Sequence, residues 1–372
     1  MADLLERDHH LELLREIVAA AARRRGSLVL ITGEAGIGKS TLVQAWLDDP
    51  GSDARTLIGW CDDFLTQQTL APLHDVARMV GGALEDAVAQ TDTRAVLDAL
   101  LEEVSHPLRP TVLVLEDVHW ADKATLDVVR YLGRRIQRLP AVLAVTFRDD
   151  EVNRDHPLRG VLGALSAGST HRIHPRPLST GAVAELTSGS GLEPAELVRI
   201  TGGNPFFVTE VAQANGAVPA TVSDSVVGRL GPLAASTRRA VELLAVLPTS
   251  ASWGLVNDLG LDTADLALAE QHGLLTADAE RIRFRHELAR RAVEGSLTAV
   301  SRAEHHEQVL EALLHRDAQP AAILVDQDDR DITEACADCA REAPGHKSQS
   351  QRQDKRRGQH QNQCRPVAKN QC

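Results

Sequence analysis

Residues 28–41 read Leu-Val-Leu-Ile-Thr-Gly-Glu-Ala-Gly-Ile-Gly-Lys-Ser-Thr, and this stretch decides the fold. Leu28–Ile31 is a short apolar run that suits a strand buried on both faces. Gly33-Glu34-Ala35-Gly36-Ile37-Gly38-Lys39-Ser40 then fits the phosphate-loop pattern G-x-x-x-x-G-K-[ST] without deviation, and Thr41 follows. The glycines let the backbone wrap a phosphate with its N–H groups pointing inward. A helix starting near Lys39 adds the positive end of its dipole. Lys39 is then placed to reach the β- and γ-phosphates, and the Ser40 hydroxyl to ligate Mg²⁺. The expected ligand is a nucleoside triphosphate of the ATP or GTP type.

Outward from the loop, strands and helices alternate. Residues 8–25 have helical spacing (Leu11, Leu14, Ile17, Val18) and end in Arg23-Arg24-Arg25-Gly26, a cationic last turn with a glycine stop. Apolar runs recur at Thr56–Ile58, Thr111–Leu115, Ala141–Phe147 and near Ile173, separated by helical stretches at about 40–48, 70–80, 93–104 and 123–138. That alternation predicts an α/β domain over residues 1–177, a parallel sheet with helices on both faces. Val112-Leu113-Val114-Leu115-Glu116-Asp117 supplies the acids that a phosphate-loop site needs at a strand end. Glu116 is read as the Mg²⁺-side residue, directly or through water, and Asp117 as a group orienting the attacking water; the two roles could be exchanged. Arg148 follows the strand Ala141–Phe147 and so emerges at the carboxyl edge of the sheet, where it can sense a γ-phosphate or pair with Asp149, Asp150 or Glu151.

Beyond about residue 178 strand runs almost vanish. Residues 178–217 read as a small helical subdomain. Over 218–298, helices at 223–230, 235–247, 252–258 and 262–271, two short strands at 274–277 and 281–284, and a helix at 286–294 follow the order of a winged-helix unit. Residues 299–320 open with one more amphipathic helix. Residues 321–372 are atypical: 345–372 hold seven Lys/Arg and one Asp, with Val367 the only aliphatic residue beyond Ala, and predict disorder.

Composition narrows the partners. The formal charge of −12 becomes −18 over residues 1–344 once the net +6 of residues 345–372 is set apart, which argues against nucleic-acid binding by the general surface. Five scattered cysteines make no disulfide framework, and Cys336-x-x-Cys339 lacks the second pair that a zinc site needs. With no signal-like start and no apolar run near the ~20 residues that span a bilayer, the expectation is a cytoplasmic chain with no membrane partner.

LLERDHHLELL, ITGEAGIGKSTLV, VLVLEDVHWADKATLD, VTFRDDE, TGGNPFFVTEV and FRHELARRAV, in this order over about residues 1–315, resemble the signal-transduction ATPases with numerous domains, in particular the ATPase half of large LuxR-type transcriptional regulators. The resemblance implies that Leu5 and Arg7 line an adenine and ribose pocket, and that Pro205 caps the base, which favours ATP over GTP. It also implies that His286 reaches the β-phosphate of bound ADP and locks a closed state. Read from the residues alone, Arg7 is a charge in an N-terminal helix, Pro205 a first-turn proline, and His286 a helix-start histidine. The family implies slow ATP hydrolysis coupled to a switch, with self-association or a regulatory protein or ligand as partner. Full regulators continue into a helical-repeat sensor and a DNA-binding helix-turn-helix; here the end reads as truncated or frame-shifted.

Two other functions compete. A replication-initiator-like ATPase would bind DNA through the third helix of the winged unit, but residues 262–271 carry three acids and no Lys or Arg, which argues against direct DNA binding. A small-molecule kinase would need an arginine lid and an acceptor pocket.

Overall fold

Thr111–Glu116 (β3) and Ala141–Phe147 (β4) are buried at every position, and such runs belong at the centre of a parallel sheet covered on both faces. They sit there in the structure, a computed structural model that describes residues 4–51, 53–63, 68–106, 108–165 and 167–317. With Ser27–Thr32 (β1), Arg55–Trp60 (β2) and Thr170–Ile173 (β5) they form a five-stranded sheet of order β2-β3-β4-β1-β5, parallel throughout. The α/β class read from the alternating runs is therefore observed. Cys336, Cys339 and the basic segment 321–372 lie outside the described residues.

Alternation along each strand splits the core in two. Val29, Ile31, Val112, Val114, Val142 and Ala144 face the helices Asp8–Ala21 and Lys39–Asp48, and these smaller side chains leave room for fully buried Trp46. Leu28, Leu30, Leu113, Leu115 and Leu143 face the opposite layer, built from Ala71–Val80, Gly82–Ala89, Thr93–Val104, Lys123–Gly133 and Pro157–Gly163.

Two local expectations need correction. The first helix ends at Ala21, and Arg24 rather than Gly26 takes the left-handed conformation (φ 58°). Gly26 is needed for space, because a Cβ there would lie 2.2 Å from the Ile136 carbonyl oxygen. The helix Gly82–Ala89 was not foreseen. Gly81 and Gly82 both have positive φ and break the chain, but Leu84, Ala87 and Val88 beyond them bury one face.

Residues 178–313 build around one continuous apolar cluster, onto which Leu5 of the N-terminal segment also packs. Its helices are Thr180–Leu186, Pro194–Thr201, Pro205–Gln213, Ala220–Leu230, Ala235–Ala245, Trp253–Asp258, Thr263–Gln271, Glu287–Ser296 and Ala299–Asp317. A three-stranded antiparallel sheet, β6-β8-β7, joins them, with Ser250–Ser252 (β6), Leu275–Ala277 (β7) and Arg281–Phe284 (β8). The three-residue β6 went unread because its Ser-Ala-Ser sequence carries no strand signal. No helix among the described residues is long and apolar enough to cross a membrane.

The seating of the helix Ala71–Val80 on the sheet depends on Gly59. Its φ is ordinary, but a Cβ would sit 2.0 Å from the Pro72 carbonyl oxygen. Gly59→Ala should therefore lower the unfolding free energy by about 1–3 kcal/mol through steric displacement alone. Urea denaturation checks this, and an unaltered midpoint would show that the helix does not bear on the sheet here.

Candidate functional site

The phosphate loop follows β1 and precedes the helix Lys39–Asp48, whose N-cap Gly38 is left-handed at φ 95°. Gly33 and Gly36 also have positive φ, so the loop turns its backbone in a way that residues with a Cβ resist. Lys39 is buried, and its Nζ donates to the carbonyl oxygens of Gly33 at 2.9 Å and Glu34 at 3.0 Å. Burial pushes the Lys39 pKa down, while the Asp117 charge opposes that shift. The ammonium is thus held over the loop by groups that an incoming phosphate can replace.

The sheet order brings the acids to the loop. β4 lies between β1 and β3, and Leu115 is level with Val145. Glu116 therefore ends beside Thr146, whose hydroxyl lies 3.5 Å from Glu116 Oε2 and accepts from the Asp117 backbone N–H at 2.8 Å. Ser40 Oγ donates to Glu116 Oε2 at 2.6 Å. Burial raises the Glu116 pKa, the Ser40 bond works against it, and the neighbouring Asp117 charge adds to it. Asp117 occupies a left-handed backbone position (φ 54°), and burial raises its pKa against the pull of Arg148 and Lys39. Thr146 is a residue that sequence reasoning missed; it is the one polar side chain before the end of an otherwise apolar strand.

A hydroxyl and a carboxylate in contact form a hard-oxygen pair suited to Mg²⁺. Among the described residues no group of three or more His, Cys, Asp or Glu could hold a metal by itself. Ser40 and Glu116 fit an ion that takes its remaining ligands from water and phosphate. Such an ion would neutralise phosphate charge.

Of the acids following it, Arg148 pairs with Glu151. Its guanidinium donates to Glu151 Oε1 at 2.5 Å and lies 4.7 Å above the Trp120 ring, and the residue still lines the cavity. That cavity, about 410 Å³, has Lys39, Ser40, Thr41, Asp117 and Arg148 at its polar side. The loop residues Ala35, Gly36, Ile37 and Gly38 form part of its wall. Its apolar side combines Leu5 and Pro205, which were singled out from the sequence, with Leu4, Leu178, Leu186 and Phe206, which were not. Such a volume is that of a small-molecule site. Arg7 also lines it, but its buried guanidinium donates to the carbonyl oxygens of Arg176 at 2.7 Å and Ile37 at 3.3 Å. Arg7 thus ties the N-terminal segment to the phosphate loop. Pro205 opens its helix behind the N-cap Asn204, as the local sequence allows.

Gly33, Glu34, Glu116 and His286 do not line the cavity. Glu34 instead joins the loop to the C-terminal body. Asn204 Nδ2 donates to Glu34 Oε1 at 2.8 Å and to the Ala35 carbonyl oxygen at 2.9 Å. His286 Nε2 lies 3.0 Å from Glu34 Oε2. Burial raises the Glu34 pKa, but the His286 contact and the Asn204 amide outweigh it and hold the carboxyl below its usual range. Phe206 donates its backbone N–H to the Gly36 carbonyl at 3.3 Å, and a Cβ on Gly36 would meet Phe206 Cβ at 2.7 Å. Gly36 thus serves both the loop turn and this close approach.

Residues 3–145 match the AAA ATPase domain family. An uncharacterized protein of Rhizobium meliloti is 26% identical over 258 residues, 56% of this chain, and the chain spans about a quarter of that protein's length, 25%. The fold is similar to the Walker-type ATPase of Pyrococcus abyssi, with a TM-score of 0.51 at 12% identity over 78% of this chain and 96% of that one. A signal transduction ATPase with numerous domains and a tetratricopeptide repeat sensor, from Pyrococcus horikoshii, aligns at 15% identity and a TM-score of 0.36, over 85% of this chain and 46% of that one.

Lys39→Ala should weaken Mg·ATP binding by at least about tenfold, the scale of one lost charged hydrogen bond, with the circular dichroism spectrum preserved. Calorimetric titration measures this, and parental affinity in the folded variant would dismiss the loop as the binding site. Glu116→Gln with Asp117→Asn should retain nucleotide and lose most hydrolysis. A parental hydrolysis rate in that double variant would move the metal site elsewhere.

Proposed function

We propose that this chain is an ATP-binding, slowly hydrolysing switch module in signal transduction, the ATPase half of a regulator of the LuxR-type kind. The observation that carries this reading is Glu34, a phosphate-loop side chain held by Asn204 and His286 of the C-terminal body. A ligand can shift a two-state equilibrium only through contacts that differ between the states. Phosphates entering the loop add negative charge next to Glu34 and compete for the same imidazole and amide. ADP is then compatible with the docked winged-helix-like unit over 218–298, and the extra charge of ATP favours its release. Self-association or a regulatory protein or ligand would read out that release.

A second link supports the same coupling. Arg148 lines the cavity, and two residues further on Asp150, with its side chain almost buried, lies 3.5 Å from Arg285 of the C-terminal body. A γ-phosphate met by Arg148 would act on a loop whose far side already bears on that body. The apolar wall of Leu5, Leu178, Leu186 and Pro205 suits a purine ring, and Mg²⁺ with ATP or ADP is the expected ligand set. For a replication-initiator-like role the helix Thr263–Gln271 would have to face DNA. Its acids Asp265 and Glu270, with no Lys or Arg, would meet phosphate repulsion.

His286→Leu and Glu34→Ala should each speed ADP release. A charge-assisted hydrogen bond is worth about 1.5–3 kcal/mol, which corresponds to roughly ten- to hundred-fold in rate where the contact governs release. The double variant should release ADP no faster than Glu34→Ala alone, because that substitution already removes the His286 contact along with the Asn204 one. Stopped-flow release of a fluorescent ADP analogue reads this directly. Parental rates in both single variants would leave the contact as packing and end the latch.

A further inference from the structure

We infer that His119 and Trp120 form a positioning pair that sets the geometry of Asp117 and Arg148 together, so that the water-orienting acid and the phosphate-sensing cation move as one unit. This rests on the proposed function, which gives those two residues their roles.

The pair occupies the short helical turn Val118–Trp120, directly after left-handed Asp117. The His119 side chain is 1% exposed, yet neither ring nitrogen has a hydrogen-bond partner of good geometry. A site chosen for packing alone would be filled at less cost by Leu or Phe. What the nitrogens face is specific. Nδ1 lies 3.8 Å from Asp117 Oδ1, and Nε2 lies 3.4 Å from Glu151 Oε2. The other Glu151 oxygen accepts from Arg148 at 2.5 Å. Glu151 therefore has the sensor arginine on one oxygen and the buried imidazole by the other.

Trp120 completes the frame. Its ring lies 4.4 Å from the His119 ring and 4.7 Å beneath the Arg148 guanidinium, so one aromatic surface fixes both. The turn itself is anchored where His156 Nε2 meets the His119 carbonyl oxygen at 3.0 Å. Burial, reinforced by the Arg148 and Lys39 charges, pushes the His119 pKa down to about 3, so the ring is neutral and bears one N–H. It can donate to Asp117 or to Glu151 but not to both. A rearrangement that draws Arg148 toward a phosphate pulls Glu151 and hands the choice of partner to His119. At 3.4 and 3.8 Å neither contact is a formed hydrogen bond, and either would become one after a small shift of Glu151 or Asp117.

The test compares His119→Phe, which keeps a ring on Trp120 but removes both nitrogens, with His119→Gln, which returns an amide near the Nε2 position. In the full chain, His119→Phe should lower ATP turnover on the order of 10- to 100-fold, the scale of misplaced catalytic groups. KM should move far less than turnover, because the phosphate loop is untouched and only the Arg148 contact loosens. The calorimetric preference for ATP over ADP should narrow as Arg148 loosens, with no fall in melting temperature. His119→Gln should recover part of both turnover and preference. Parental turnover and preference in His119→Phe would overturn the positioning role, as would an equal loss of affinity, turnover and melting temperature in both variants. Failure of the parent chain to bind nucleotide would instead overturn the proposed function, and this inference with it.

Discussion

Glu34 sits on the phosphate loop with an amide at one carboxylate oxygen and an imidazole at the other, both supplied by the C-terminal body. A half-buried carboxylate is costly unless it is paired and hydrogen-bonded, so Asn204 and His286 are required as much as Glu34 is. Asn204 is occupied further: its side chain caps the helix Pro205–Gln213 through the Phe206 N–H and also bonds the Ala35 carbonyl. The phosphate loop is therefore shaped partly from outside its own domain. Its glycine at position 36 answers the approach of Phe206 as well as the turn.

The second constraint is the strand order. Placing β4 between β1 and β3 separates the loop from the acids by one strand width; Thr146 on that strand holds the acids, and the Ser40 hydroxyl crosses the gap to Glu116. The same strand delivers Arg148 to the cavity and Asp150 to Arg285. One segment thus touches Glu116, the cavity and the C-terminal body within five residues, 146–150. Coupling between them needs no long pathway, only a short loop with contacts on both sides.

The site was unevenly legible in the sequence. The loop pattern and the strand-end acids stood out because they follow fixed local spacing, and the structure brings Ser40 of the loop into contact with Glu116. Leu5 and Pro205 were reached by resemblance, and both line the cavity. Thr146, Phe206 and Leu186 were not singled out, since one threonine in a strand or one leucine in a helix has many uses. Asn204 carried a readable signal, a capping residue just before a proline, but that signal speaks of the helix start and not of Glu34.

Local pattern therefore determined the alternating α/β half, its loop, and the acidic strand end, since hydrophobic period and turn chemistry act over a few residues. Only the tertiary structure decided that His286 meets Glu34, 252 residues earlier in the chain, and that β4 stands between the loop and the acids. It alone decided that the carbonyls of Arg176 and Ile37 claim the Arg7 guanidinium. Those outcomes depend on which surfaces are buried against each other, and a carboxylate or guanidinium takes whichever partner burial leaves within reach.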